Sequence, residues 1–302
     1  PLIEAYSKAM DFDEIVPIRS LSTEQAVQKV RESGVDILVN LNGYYGEHRM
    51  DLFARRAAPI QVSYLGFPGT LGVPYMDYLI ADPIAIPPDA RAHFVENVVT
   101  LPVSYQMNDD RRAEPSMQAG TRGSHGLPEG VIVFCCFNNS YKITPGTFES
   151  WMRILERVPE SVLWLLAPHG DGCARLRLEA KQRGVSDQRL VFAPLVSPDD
   201  HMARLAHADI GLDTFPYNAH TTASDLLWAG VPFVTKIGTT FPGRVGASLL
   251  TAIGLPDLVG STLEEFENLA VDLAMDGRRR EEVRAWLISQ GRTSALFKTE
   301  RT

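Results

Sequence analysis

Over its second half this chain repeats one pattern: a short apolar run, a polar loop, then an amphipathic stretch of helical spacing. The runs are 131–137 (VIVFCCF), 162–166 (VLWLL), 190–192 (LVF), 210–212 (IGL) and 231–235 (VPFVT), the last read as the final core strand. Helical stretches fall at 147–157, 171–184, 199–207 and from 221, and a helical tail follows from Leu263. Runs so short and so apolar read as strands buried on both faces, with the intervening helices as cover. Strands alternating with helices in this way fold as a doubly wound parallel sheet.

The first hundred residues carry a weaker version of the pattern. Residues 23–33 (TEQAVQKVRES) have helical spacing and a polar start, and Gly34 stops them. The run 35–41 (VDILVNL) reads as a buried strand, followed by strands at 60–65 (IQVSYL), 78–81 (YLIA) and 98–101. These are expected to be strand–loop–helix units of a second parallel sheet, seen from partway in. Between them and the later domain, residues 107–128 (MNDDRRAEPSMQAGTRGSHGLP) are polar, rich in glycine and proline, and without period. The expected organisation is therefore a partial Rossmann-like domain at 1–106, a linker at 107–128 and a second Rossmann-like domain at 129–302.

Charge narrows the partners. With 29 basic and 37 acidic residues the chain carries a formal charge of -8, which argues against a broad grip on nucleic acid or an anionic membrane. An anionic ligand would have to be held locally. Cys135, Cys136 and Cys173 form no disulfide framework, and no apolar stretch reaches membrane-spanning length, so a cytoplasmic compartment is expected.

Three stretches could carry chemistry. In 213–225 (DTFPYNAHTTASD) a strand end meets a helix start, whose free amides and partial positive charge suit a phosphate. Thr221 and Thr222 add hydroxyls, His220 can donate from its ring, and Asp225, one turn in, can accept from ribose. Equally, Thr221 could simply cap the helix while His220 packs locally. In 137–145 (FNNSYKITP) Lys142 stands where a lone ammonium can neutralise a diphosphate, with Asn138 and Asn139 offering amide hydrogen bonds. Lys142 could also be an ordinary surface lysine. In 196–204 (VSPDDHMAR) Ser197 reads as a helix cap, with His201 placed to stack on a base and Arg204 one turn on. In the first segment, 40–45 (NLNGYY) and 66–70 (GFPGT) both follow strands. There Asn42 or Tyr44 could contact a sugar or polypeptide, or the segments could be plain turns. The sequence has no HExxH or paired CxxC motif for a metal, and no GxGxxG or GxxxxGK[ST] phosphate loop.

Together these stretches resemble the O-linked N-acetylglucosamine transferases, above all their bacterial members. The resemblance runs through ILVNLNGY (37–44), AAPIQVSYLGFPGTLG (57–72), MDYLIAD (76–82), FNNSYKI (137–143), RVPESVLWLL (157–166), NAHTTASDLLWAGVP (218–232) and SALFKT (294–299). It implies a GT-B fold of two Rossmann-like domains, with UDP-GlcNAc as donor, no metal or cofactor, and serine or threonine hydroxyls of proteins as acceptors. Transfer would invert the anomeric carbon. By the same resemblance, Lys142 corresponds to the lysine that neutralises the diphosphate. His220, Thr221 and Thr222 correspond to the phosphate-binding helix start, and Asp225 to the ribose acceptor. Ser197, His201 and Arg204 fall in the uridine-recognition stretch, Asn139 stands where animal members carry glutamine, and Asn42 and Gly69 match cleft positions. Tyr217 replaces a small cysteine beside the acetamido group, and Asp199 replaces a lysine near the base. The resemblance places the family's proposed catalytic histidine and its tetratricopeptide repeats before Pro1, so no general base is assigned. Two other readings remain at this stage: a different UDP-sugar enzyme, such as an epimerase or another hexosyl transferase, and a UDP-binding chain without turnover.

Overall fold

The computed structural model describes residues 12–109, 112, 114 and 120–298; of the expected linker, residues 110, 111, 113 and 115–119 lie outside the described residues. The chain divides into two compact units, Pro1–Leu79 with Phe94–Val98, and Ile80–His93 with Val99–Thr302.

The first unit begins with helix α1 (Thr23–Glu32), fixed at its start by a capping box. Ser22 accepts from the Gln25 amide and Gln25 accepts from the Ser22 amide. Gly34, at φ +65°, supplies the left-handed turn that ends it. Strands β1 (Ile37–Asn40), β2 (Ile60–Ser63), β3 (Tyr78–Ala81) and β4 (Asn97–Thr100) lie side by side in sequence order, β1 to β3 parallel. Helix α2 (Met50–Ala54) and α1 pack Ala26, Val27, Leu52 and Phe53 with Leu38 into one apolar cluster.

Two expectations for this unit are corrected. The run at 35–41 is not buried on both faces: Ile37 is 54% and Val39 42% exposed. Alternate side chains of a strand point to opposite faces, and among the described residues only Leu38 of β1 joins the helical cluster. Nor are β2–β3 and β3–β4 joined by α-helices. The β2–β3 connection contains Pro68 and Pro74, and β3–β4 contains Pro83, Pro87 and Pro88 with only a 3₁₀ turn (Pro88–His93). Proline removes amide donors and biases the preceding residue away from helix.

The second unit carries a six-stranded parallel sheet built from β5 (Ile132–Cys136), β6 (Ser161–Leu166), β7 (Leu190–Ala193), β8 (Ile210–Leu212), β9 (Phe233–Lys236) and β10 (Val259–Gly260). Its order is β10-β9-β8-β5-β6-β7. Counted from β5 this is the Rossmann order 3-2-1-4-5-6, and the direction of winding reverses between β5 and β8. The two-residue β10 extends the sheet past the strand expected to be last. The helices are α3 (Pro145–Arg157), α4 (Gly172–Gln182), α5 (Pro198–Arg204), α6 (Thr221–Trp228), α7 (Val245–Ala252), α8 (Leu263–Met275) and α9 (Gly277–Ser289). Helix α3 shows why the strands hold: Thr144 caps it, Pro145 opens it, and Phe148, Trp151, Met152, Ile154 and Leu155 bury the stripe that recurs every three or four residues. Among the described residues no helix is long and apolar enough to cross a membrane.

Candidate active site

In an open α/β sheet, ligands collect at the carboxyl ends of strands where the winding reverses. Here that point lies beyond β5 and β8, and both richest sequence stretches leave from it. After β5 the chain turns through Asn138 into a 3₁₀ turn (Ser140–Lys142); after β8 it runs through residues 213–219 to α6.

The 213–219 segment is held by buried polar groups. Asp213 Oδ1 accepts from the Thr214 amide at 2.7 Å and the Ala219 amide at 2.6 Å, and Oδ2 accepts from Thr235 Oγ1 at 2.5 Å. Asn218 Nδ2 donates to Thr214 O at 3.0 Å, and the Gly246 amide donates to Asn218 Oδ1 at 3.3 Å. Thr144 and Thr147, at the start of α3, donate to Phe215 O at 3.0 and 2.9 Å. Trp151 Nε1 donates to Asp213 O at 3.3 Å. The close approach needs glycine at 246, where a Cβ would lie 2.7 Å from both Asp213 Oδ2 and Thr235 Oγ1.

Lys142 is aimed at this frame. Its Nζ donates to Asn218 O at 2.8 Å and stands 4.0 Å from the centroid of the Tyr217 ring. Tyr217 in turn stacks on His220, with centroids 5.0 Å apart and planes 22° from parallel. The ammonium therefore lies against the segment that leads into α6, and Lys142 is not a free surface lysine. Burial lowers its pKa from 10.5 to about 8, against the pull of Asp213.

One expectation for His220 fails. Its Nε2 faces Pro242 O at 3.3 Å, and a carbonyl only accepts, so Nε2 carries the proton; Nδ1 then accepts from Tyr105 Oη at 3.3 Å. Both ring nitrogens are engaged and the ring has no spare donor. Burial and the nearby Lys142 charge push its pKa down to about 3, so the ring is neutral. The donors left at this helix start are the amides of Thr221 and Thr222, which have no carbonyl of their own turn to bond, together with the Thr221 hydroxyl. The Thr222 hydroxyl donates to Asn138 Oδ1 at 2.5 Å, and Asn138 Nδ2 donates to Thr214 Oγ1 at 2.8 Å. Asn138, buried, thus ties the two stretches together, whereas Asn139 is exposed at the start of its 3₁₀ turn.

Beside this spot is a cavity of about 270 Å³ whose lining includes Phe137, His201, Arg204, Thr222 and Asp225. Arg204 donates to His201 Nδ1 at 3.0 Å and to Pro194 O at 2.7 Å, and its guanidinium lies 4.8 Å from the Phe137 ring centroid. With Nδ1 accepting, His201 carries its proton on Nε2; burial and Arg204 hold its pKa near 4, so it is neutral. Asp225, whose pKa is raised by burial, is ion-paired with Arg112, a residue that sequence reasoning did not single out. Ser197 lies outside the lining and caps α5, accepting from the Asp200 amide at 3.2 Å. Asp199 is exposed on the same turn.

Asn42, Tyr44 and Gly69 belong to the first unit, where the loops after β1 and β2 interlock. Tyr44 Oη donates to Leu71 O at 2.8 Å and its ring meets Phe67 edge-on at 5.6 Å. Asn42 Nδ2 donates to Glu47 O at 3.4 Å, and Gly69 lies over the Phe67 ring, which a Cβ would approach to 3.4 Å. No group of three or more His, Cys, Asp or Glu side chains placed to hold a metal occurs among the described residues.

Residues 7–119 and 112–302 match the family described as glycosyl transferase family 41. The chain belongs to that family. A relative in Arabidopsis thaliana, the probable UDP-N-acetylglucosamine–peptide N-acetylglucosaminyltransferase SEC, is 36% identical over 294 residues, 96% of this chain and 30% of that protein. The Caenorhabditis elegans UDP-N-acetylglucosamine–peptide N-acetylglucosaminyltransferase is 28% identical over 90% of this chain and 33% of its own length. The chain thus spans about a third of these relatives. Among solved structures, a mutant of the Thermobaculum terrenum O-GlcNAc transferase superposes with a TM-score of 0.83 at 33% identity, covering 94% of this chain and 55% of the other. Anabaena HepE, solved with UDP and glucose, shares the fold at a TM-score of 0.63 and 14% identity. The family 41 chain therefore has the α/β architecture of GT-B glycosyltransferases, with two parallel sheets.

Proposed function

We propose that this chain carries the donor site of a protein O-glycosyltransferase that moves GlcNAc from UDP-GlcNAc to serine or threonine hydroxyls, with inversion and without a metal. The observation that carries the reading is that the Lys142 ammonium lies against the segment that leads into α6, beside the cavity lined by His201, Arg204 and Asp225. A diphosphate at that spot would meet one positive charge and two unpaired amides. The cavity beside it would take the nucleoside: Phe137, Arg204 and His201 form a ring-lined wall, and the Asp225 carboxylate would accept from ribose hydroxyls once it shares Arg112. Relatives named for UDP-N-acetylglucosamine and peptide acceptors support the same reading.

The reaction follows as a single displacement. An acceptor hydroxyl attacks the anomeric carbon from the face opposite the nucleotide, the bond from that carbon to the diphosphate oxygen breaks, and the hydroxyl proton leaves to a base. Negative charge grows on the departing diphosphate, and Lys142 with the Thr221 and Thr222 amides would stabilise it more in the transition state than in the ground state. Asn42 and Tyr44 would serve the acceptor side, and Gly69 the UDP-sugar. The test is incubation with UDP-GlcNAc and a mixed peptide library, read by mass spectrometry. A peptide gain of one N-acetylhexosamine on serine or threonine supports the reading. Conversion of the sugar nucleotide without any acceptor product would instead favour an epimerase.

A further inference from the structure

Asp213 is fully buried, and its carboxylate spans the turn that presents Asn218 to Lys142. Oδ1 closes the turn by accepting from both of its ends, Thr214 and Ala219, while Oδ2 is anchored to β9 through Thr235. These three donors to the carboxylate are N–H and O–H groups of the frame, so the group is dressed as an acceptor. The Lys142 ammonium lies over the Tyr217 ring, and the titratable groups near enough to act on its charge are Asp213, the Cys136 thiol at the end of β5 and the His220 imidazole. Of these only Asp213 can bring a negative charge, and burial pushes its pKa up to about 7 against the hydrogen bonds it accepts, so that charge is present above neutral pH, where Lys142 titrates; Cys136 is pushed up to about 12 by burial and His220 is held neutral.

We propose that Asp213 is a positioning residue of the donor site: it aims the Asn218 carbonyl at Lys142 and supplies the charge that keeps Lys142 an ammonium before a diphosphate arrives. The proposal rests on the reading of Lys142 as the diphosphate cation. A negative group beside an anion site repels the ligand directly, so Asp213 is useful there only through Lys142. That gives a signature a purely structural role lacks. In Asp213→Asn the amide keeps an oxygen for the Thr214 and Ala219 amides, and Thr235 can accept from the new NH₂, so the turn persists while the charge is lost. Lys142 should then lose its proton at lower pH.

The chain has six lysines, so ¹³Cε resonances can be assigned with Lys142→Arg and titrated without ligand. The Lys142 midpoint is expected to fall by about one unit in Asp213→Asn, the size of a nearby-charge effect. An unchanged midpoint overturns the proposal. Calorimetry with UDP gives the second arm. Affinity in Asp213→Asn should lie within about twofold of the parent at pH 6.5 and be about tenfold weaker at pH 8.5, following a one-unit shift. Equal weakening at both pH values overturns the proposal in favour of a structural role. Should Asp213→Asn not fold, Thr235→Val removes one donor from Oδ2 and should move the Lys142 midpoint down by a smaller step; no movement overturns the coupling. A parent that binds no UDP sinks the donor-site reading while the ligand-free titration still decides whether Asp213 governs Lys142.

Discussion

Lys142→Met removes the ammonium and keeps most of the side chain. A unit charge about 4 Å from a phosphate oxygen, at an effective dielectric of about 20, interacts by about 4 kcal/mol. Part of that acts already on the bound donor, and the part that grows with leaving-group charge lowers kcat. At about 1.4 kcal/mol per tenfold, and with losses of 10²–10³ typical when one stabilising donor is deleted, kcat should drop roughly 10²–10³-fold. The structure argues that the fold survives. Among the described residues Lys142 Nζ has a single acceptor, Asn218 O, and burial already disfavours its charge, so the methionine relieves a cost as it removes a hydrogen bond. The melting temperature should move by no more than about 4 °C, corresponding to roughly 1 kcal/mol. The assay is single-turnover transfer from radiolabelled UDP-GlcNAc to an acceptor peptide, with circular dichroism to follow unfolding. Turnover within threefold of the parent in a folded Lys142→Met protein would refute the reasoning.

The remaining predictions concern pH and the first unit. With the ammonium as the proposed binding form and its pKa lowered to about 8, UDP affinity should weaken as pH rises through 8, while Asp213, pushed up to about 7 by burial, takes on its charge just below that range. His201 and His220, near 4 and 3, stay neutral across that window and add no limb; calorimetry on Lys142→Met should show the alkaline limb gone. Gly66→Ala would set a Cβ 1.8 Å from Leu41 O and 2.9 Å from Leu41 C, backbone atoms that cannot yield cheaply. It should destabilise the first unit by about 3 kcal/mol, seen as a lower unfolding midpoint in urea, and an unchanged midpoint would contradict the packing of the two loops.

The second unit was legible because its signal is dense: short apolar runs at close spacing leave little choice but a parallel sheet, and Lys142, Thr221 and Asp225 stand out where strands end. What escaped was set by distance along the chain. Asn138 and Thr222 meet across 84 residues, and Arg112 reaches Asp225 across 113. No local pattern marks either pair. The His220 ring was read as a donor because residue type says nothing about Tyr105 and Pro242, which consume both nitrogens. In the first unit, the apolar composition of 35–41 suggested full burial, but alternation assigns half of such side chains to a face that only neighbouring elements can cover. The strand β10 is two residues long, too short for any period to register.

The account turns on where a diphosphate sits. A crystal structure of the chain with UDP measures this directly. A phosphate oxygen is expected within hydrogen-bonding distance of Lys142 Nζ and another facing the Thr221 and Thr222 amides, with the uracil in the cavity beside Phe137 and His201. A UDP molecule bound elsewhere, with Lys142 still on Asn218 O and no phosphate at the start of α6, would contradict it.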